Sequence, residues 1–244
     1  MTAIDELLEK FKYIESQGYI KSESRNKNYL GILFEKLLGS TGGEFSIPDF
    51  RDIEIKVIRK YEYAEFDMFN SSPDGKYITP TQWLSENYGY PDKDYRKIKV
   101  LKGDVYGNKL TNIGVYYKYK LYINYNESRI YLQIYDSNSL INQDIYWDFD
   151  SLQERLERKL NKIAIIGFNK KYIDDSYFYH YNNIKIYKLK SFELFLKCIE
   201  NGIIYVTFKT GVNKSGKNVG KFRDHGTSFR ISKSNMKFLF DEIV

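Results

Sequence analysis

The stretch Pro48-Asp49-Phe50-Arg51-Asp52-Ile53-Glu54-Ile55-Lys56-Val57 decides how the rest of the chain is read. From Ile53 to Val57 apolar and charged residues alternate, which is the pattern of a strand that buries one face. Side chains two apart on a strand share a face, so Glu54 and Lys56 project together while Ile53, Ile55 and Val57 face the core. Two opposite charges on one face, beside an aspartate, suit phosphodiester hydrolysis. Carboxylates hold a hard divalent cation through oxygen, and a lysine steadies the attacking water. Taken alone, aspartate, spacer, Glu-x-Lys recurs by chance in charged chains, and a solvated strand face with an ordinary ion pair explains it equally well.

Upstream, Leu30-Gly31-Ile32-Leu33-Phe34-Glu35-Lys36-Leu37-Leu38-Gly39 reads as a largely buried helix. Glu35 interrupts it, and a carboxylate beside a buried stripe needs a cation or hydrogen bonds. It is either a partner for Lys36 or another base, or a third acid aimed at the same metal site. Downstream, Asp150, Glu157 and Lys159 repeat the residue types of the strand at similar spacing. They fall on an amphipathic helix, where residues two apart point about 200° away from each other, so this set is put aside.

The remaining elements follow from periodicity. Ile4 to Tyr13 and Leu30 to Leu38 are predicted helices, followed by a glycine turn over Gly39 to Gly43. Tyr61 to Asn112 carries all but one of the prolines and few clean periods, so it is predicted to be irregular, with a helix at Gln82 to Tyr88. Val115 to Tyr125 and Arg129 to Tyr135 form a predicted hairpin. A helix over Phe149 to Leu160, a buried strand over Lys162 to Phe168, a further strand pair, a helix over Ser191 to Glu200 and a strand over Ile203 to Lys209 complete a mixed α/β sheet.

Composition adds a direction. Lys and Arg number 38 against 32 Asp and Glu, a net charge of +6 that favours a polyanionic partner. The one cysteine, Cys198, excludes an internal disulfide and a thiolate metal cage, and its helical setting makes it a buried small hydrophobe. With no leader-like segment and no long apolar run, the expectation is a soluble cytoplasmic protein with no membrane partner.

Near the end, Lys214, Lys217, Lys221, Arg223 and Arg230 interleave with Gly211, Gly216, Gly220 and Gly226, a flexible basic segment able to approach phosphates. Arginine and histidine donate to guanine acceptors, and aspartate accepts from the cytosine amino group, so Arg223, Asp224, His225 and Arg230 could read base edges. His180, in the aromatic run Tyr177 to Tyr181, is read as structural, and Trp83 and Trp147 as packing residues.

Gly31 to Gly39 followed by Asp49 to Lys56 resembles the MutH-type branch of the PD-(D/E)xK nucleases, and within it the MvaI/BcnI restriction endonucleases. Segments Ile145 to Gln153, Ile199 to Gly202 and Asp224 to Ile231 resemble that family in the same order, so the similarity runs along nearly the whole chain. The resemblance implies a restriction-endonuclease-like mixed β-sheet flanked by helices, with two lobes forming a DNA-binding cleft. A catalytic lobe would take approximately 1–60 and 113–168, and a recognition lobe approximately 61–112 and 169–244.

Carried over by position, Asp49 is a metal-bridging aspartate, Glu54 the second metal ligand, Lys56 the lysine near the nucleophilic water and Glu35 the helical glutamate. Asp52 shares parity with Glu54 and competes with Asp49 for the ligand role, while the family spacing favours Asp49. Major-groove contacts would come from Asp224, His225 and Arg230, assisted by Arg223, Lys217 and Lys221. The chain departs from the family's pattern at Arg223, where the resemblance implies a histidine.

The resemblance further implies Mg²⁺, with Mn²⁺ as a substitute, and double-stranded DNA as partner. The product ends would be a 5′ phosphate and a 3′ hydroxyl at a CC-x-GG-like site. A monomer would nick the strands in separate events, with a cognate DNA methyltransferase as its genetic partner. The alternatives are a MutH-like mismatch-repair nickase and a catalytically silent DNA-binding protein.

Overall fold

The structure is a computed structural model and describes residues 1–26, 29–39, 47–59 (Arg59 as backbone alone) and 65–244. The expected glycine turn lies, beyond Gly39, outside the described residues, as does the start of the segment expected to be irregular. The longer helices are α1 (Ala3–Ser16), α2 (Tyr29–Leu37), α3 (Pro80–Tyr88), α4 (Phe149–Leu160) and α5 (Phe192–Glu200). None is long and apolar enough to cross a membrane.

The chain forms two compact units. The first takes residues 1–64, 155–190 and 232–244. Its sheet runs in the order Ile20–Lys21, Ser176–Leu189, Lys162–Ile173, Glu54–Arg59, with Phe240–Glu242 also paired to the second of these strands. The Glu54 strand lies parallel to Lys162–Ile173, with Glu54 opposite Ile163 and Lys56 opposite Ile165. Ile55 therefore shares a face with Ala164 and Ile166, and these join Phe11, Leu33, Phe34 and Ile53 in one core. The alternation in the sequence is thus the alternation of the sheet. Helix α1 begins at a capping box, in which Thr2 Oγ1 accepts from Asp5 N and the Asp5 carboxylate accepts from Thr2 N.

The second unit takes residues 65–154 and 191–231. One sheet is a meander in the order Asp74–Gly75, Ser139–Asp148, Arg129–Asp136, Tyr117–Asn124, Thr111–Ile113, and it contains the expected hairpin. A second sheet runs Phe222–Asp224, Ile204–Val212, Ser228–Ser232, Glu65–Asn70, with Lys102–Val105 also paired to Ile204–Val212. Trp147 is buried and donates from Nε1 to the Ser71 carbonyl at 3.1 Å, with its ring against Phe229.

Two expectations are corrected. The segment expected to be irregular contributes strands Glu65–Asn70 and Lys102–Val105 to a sheet, because partners more than a hundred residues away supply the pairing that its broken local pattern conceals. The basic segment from Gly211 is not simply a flexible loop, since Thr210, Gly211 and Val212 pair with Asp224, Arg223 and Phe222 in a hairpin. Residues 113–148 group with the second unit and 169–190 and 232–244 with the first. The long hairpin Lys162–Ile173 with Ser176–Leu189 keeps both its arms on one sheet, whereas 117–148 builds a sheet of its own.

Candidate active site

The turn before the Glu54 strand sorts its acids. Phe50 and Ile53 exchange backbone hydrogen bonds of 3.0 and 2.8 Å, and Arg51 between them takes φ +52°, the left-handed region. Asp49, just before this tight turn, is folded back so that Oδ2 accepts from the Ile55 N–H at 2.9 Å. Asp52, within the turn, faces outward and pairs with Lys162 at 2.5 Å. Two aspartates three residues apart thus reach different surroundings.

Glu54 is only 1% exposed. Its Oε1 accepts from Lys56 Nζ at 2.5 Å and lies 3.4 Å from Lys159 Nζ, while Oε2 is buried and has no hydrogen-bond partner. Burial pushes the Glu54 carboxyl up from its ordinary value. The Lys56 ammonium opposes this and the Asp49 charge adds to it. One oxygen is held by two ammonium groups and the other is left for a cation, an unfavourable arrangement for a carboxylate with nothing further to bind.

Glu35, half-buried on α2, also has its carboxyl pushed up, first by burial and then by the Asp49 and Glu54 charges. Lys36 is not its partner. That ammonium bonds Glu23 at 3.0 Å and the Tyr29 hydroxyl at 2.8 Å.

Glu35, Asp49 and Glu54 therefore feel one another's charge, yet no group of three or more His, Cys, Asp or Glu among the described residues is placed to hold a metal ion. The donor set fits a hard cation bound by two carboxylates, with water and phosphate oxygens completing the shell, which is how Mg²⁺ is usually held at phosphate-processing sites. The partnerless Glu54 Oε2 is the observation that favours this fit.

Lys159 is the residue that sequence reasoning missed. It belonged to the set put aside because helical neighbours two apart diverge, and α4 is indeed a helix. The geometric objection applied to a site built within α4, not to one residue of α4 reaching a strand. The signal available was its place next to Leu156 and Leu160, both fully buried, which sets Lys159 at the edge of the apolar stripe.

In the second unit the base-reading candidates are placed unevenly. Arg223, Asp224 and His225 are exposed, and Asp224 Oδ1 accepts from the Gly226 N–H at 2.7 Å, where Gly226 takes φ +90°. Burial and then the Arg223 cation hold the His225 imidazole below its ordinary value, against Asp224, so its neutral form is favoured. Arg230 is 25% exposed and lies between two acids, with Nε 3.0 Å from Asp67 and an Nη 3.6 Å from Glu65. Lys217 and Lys221 are exposed on the loop between the two arms of the hairpin. His180 contacts the Glu15 carbonyl at 3.2 Å and the Tyr19 ring, a structural role, and Cys198 is buried.

A model of the MvaI/BcnI restriction endonuclease family matches residues 8–240. The restriction endonuclease MvaI solved as a complex with cognate DNA substrate is 30% identical, with a TM-score of 0.88 over 100% of this chain and 99% of that one. MvaI solved in the absence of DNA is likewise 30% identical, with a TM-score of 0.65 over 100% and 98%. No curated protein matches the chain. With the family model spanning the Glu54 strand, both units and the basic hairpin, this chain belongs to the MvaI/BcnI restriction endonuclease family and is a type II restriction endonuclease acting on DNA.

Proposed function

We propose that the chain cleaves both strands of a DNA duplex at a short CC-x-GG-like site in a Mg²⁺-dependent reaction, with Mn²⁺ as a substitute ion, leaving 5′ phosphate and 3′ hydroxyl ends. The observation that carries this reading is the buried Glu54 carboxylate, with Oε1 held by Lys56 and Lys159 and Oε2 unpartnered.

In this reading Asp49 and Glu54 hold the ion, which supplies charge to the scissile phosphate and lowers the pKa of bound water. Asp49 accepts from the Ile55 N–H, which holds its carboxylate at the start of the Glu54 strand. Lys56, 24% exposed in its side chain, stands where it can orient the attacking water. Glu35 adds negative charge that favours the cation, at the expense of its own ionisation.

Sequence would be read by Arg223, Asp224 and His225, with Arg230 held by Asp67 and Glu65 as an oriented donor, and with Lys217 and Lys221 on phosphates. The protein acts as a monomer that nicks each strand in a separate binding event, and a cognate methyltransferase protects the host's sites. MvaI bound to its cognate DNA substrate, superposing along the length of this chain, supports a duplex as the partner.

The test is to incubate the purified protein with plasmid and Mg²⁺. Discrete fragments whose sequenced ends share one short motif are expected. A smear, or intact plasmid with both Mg²⁺ and Mn²⁺, would overturn the proposal.

A further inference from the structure

Within the second unit a concavity of about 670 Å³ is lined by Lys93, Lys102, Lys209, Lys214 and Arg223 against a single acid, Asp92. His225 stands in the same wall, and its imidazole is held down partly by Lys102 and Lys209. The cations come from distant parts of the chain, and only Lys214 and Arg223 belong to the basic segment legible in the sequence.

Two of them are placed against each other by register. In the antiparallel ladder between Lys102–Val105 and Ile204–Val212, Lys102 stands directly opposite Lys209. Opposed like charges on one sheet face destabilise it. Lys209 is relieved by Asp67 at 2.5 Å, and Lys214 at the rim by Asp94 at 2.5 Å. Lys102 forms no ion pair with any of the described residues. A sheet that opposes two lysines and leaves one without a counter-charge is arranged for an anion that is not part of the chain.

We infer that this concavity grips backbone phosphates of the DNA strand whose bases face Arg223 and His225, with Lys102 and Lys93 as the principal phosphate contacts. The inference rests on the reading of the chain as a DNA-cutting enzyme and extends it to residues outside the basic segment. Lysine acts here as a point charge on a flexible stem, suited to a phosphate and not to the edge of one particular base. Asp67 has a second consequence. It accepts from Lys209 and Ser228 Oγ and forms an ion pair with Arg230, and so ties the phosphate-gripping wall to the arginine proposed to read sequence.

The experiment measures binding by fluorescence anisotropy without divalent metal, over a range of salt. The duplexes are one carrying the site mapped by end sequencing and one unrelated. For Lys102→Met and Lys93→Met, the slope of log affinity against log salt should fall by about 0.9 for each phosphate that is no longer neutralised. Affinity for both duplexes should drop by the same factor, while Lys102→Arg keeps the wild-type slope. Free Lys102→Met should melt at or above the wild-type temperature, because the opposed pair is gone.

An unchanged slope in both Met variants, with wild type still cutting at discrete sites, overturns the phosphate grip alone. Loss of preference for the mapped site without a change in slope also overturns it, in favour of base reading. If wild type gives no discrete fragments, the functional reading itself fails first.

Discussion

At the scale of single residues, the outcome turns on which way a short side chain faces. Asp49 and Asp52 have the same chemistry, but one is folded onto the Ile55 N–H and the other onto the Lys162 ammonium. Replacing Asp49 by Asn keeps an oxygen for the Ile55 N–H and removes the charge needed for a cation, so cleavage should be abolished with DNA binding retained. Replacing Asp52 by Asn removes one partly exposed pair worth about 0–1 kcal/mol and should leave cleavage near wild type. Initial rates on plasmid check both, and the reverse pattern would reassign the metal aspartate. The competition between these two acids was visible in the sequence. Its resolution was not, because it depends on a left-handed residue, Arg51, in a turn of two residues.

At the scale of elements, α4 and the Glu54 strand complete each other. The period of the strand showed in its sequence that Glu54 and Lys56 share a face, and the period of α4 showed that Leu152, Leu156 and Leu160 do. Neither period shows that the helix lays Lys159 against the strand, since that depends on packing between elements separated by about a hundred residues. Lys159→Met should lower kcat for cleavage roughly 10- to 100-fold, the usual effect of losing a group that orients a metal ligand. KM for DNA should stay unchanged, because the contact is with Glu54 and not with the duplex. Lys159→Arg should restore part of the rate. A rise in KM with kcat intact would place Lys159 on the DNA instead.

At the scale of the whole molecule, the candidate site is held at a cost that the proposed ion would offset. Glu35 and Glu54 both have carboxyls raised by burial, so in the window between their unfolded and folded values the folded protein binds more protons than the unfolded one. By linkage, this contribution to stability falls as pH rises through that window and is absent as a benefit at neutral pH. Metal-free Glu54→Gln should therefore melt above wild type at neutral pH. The difference should shrink as the pH is lowered into the carboxylate range. Mg²⁺ should raise the melting temperature of wild type and not of Glu54→Gln, since only the former has the ligand. Thermal melts with and without Mg²⁺ from neutral to acidic pH check both signs.

The sequence by itself determined the strand that carries the proposed site, the faces of its helices and, through family resemblance, the kind of chemistry, because these depend on periodicity and on residue type within a few positions. The tertiary structure alone decided that Lys159 joins Glu54, that Arg230 is flanked by acids, and that Lys102 opposes Lys209. It also decided that 113–148 builds a sheet in one unit while 169–190 stays in the other. Those facts depend on register and packing between distant segments, where the free energy comes from surfaces brought together and leaves little trace in local pattern.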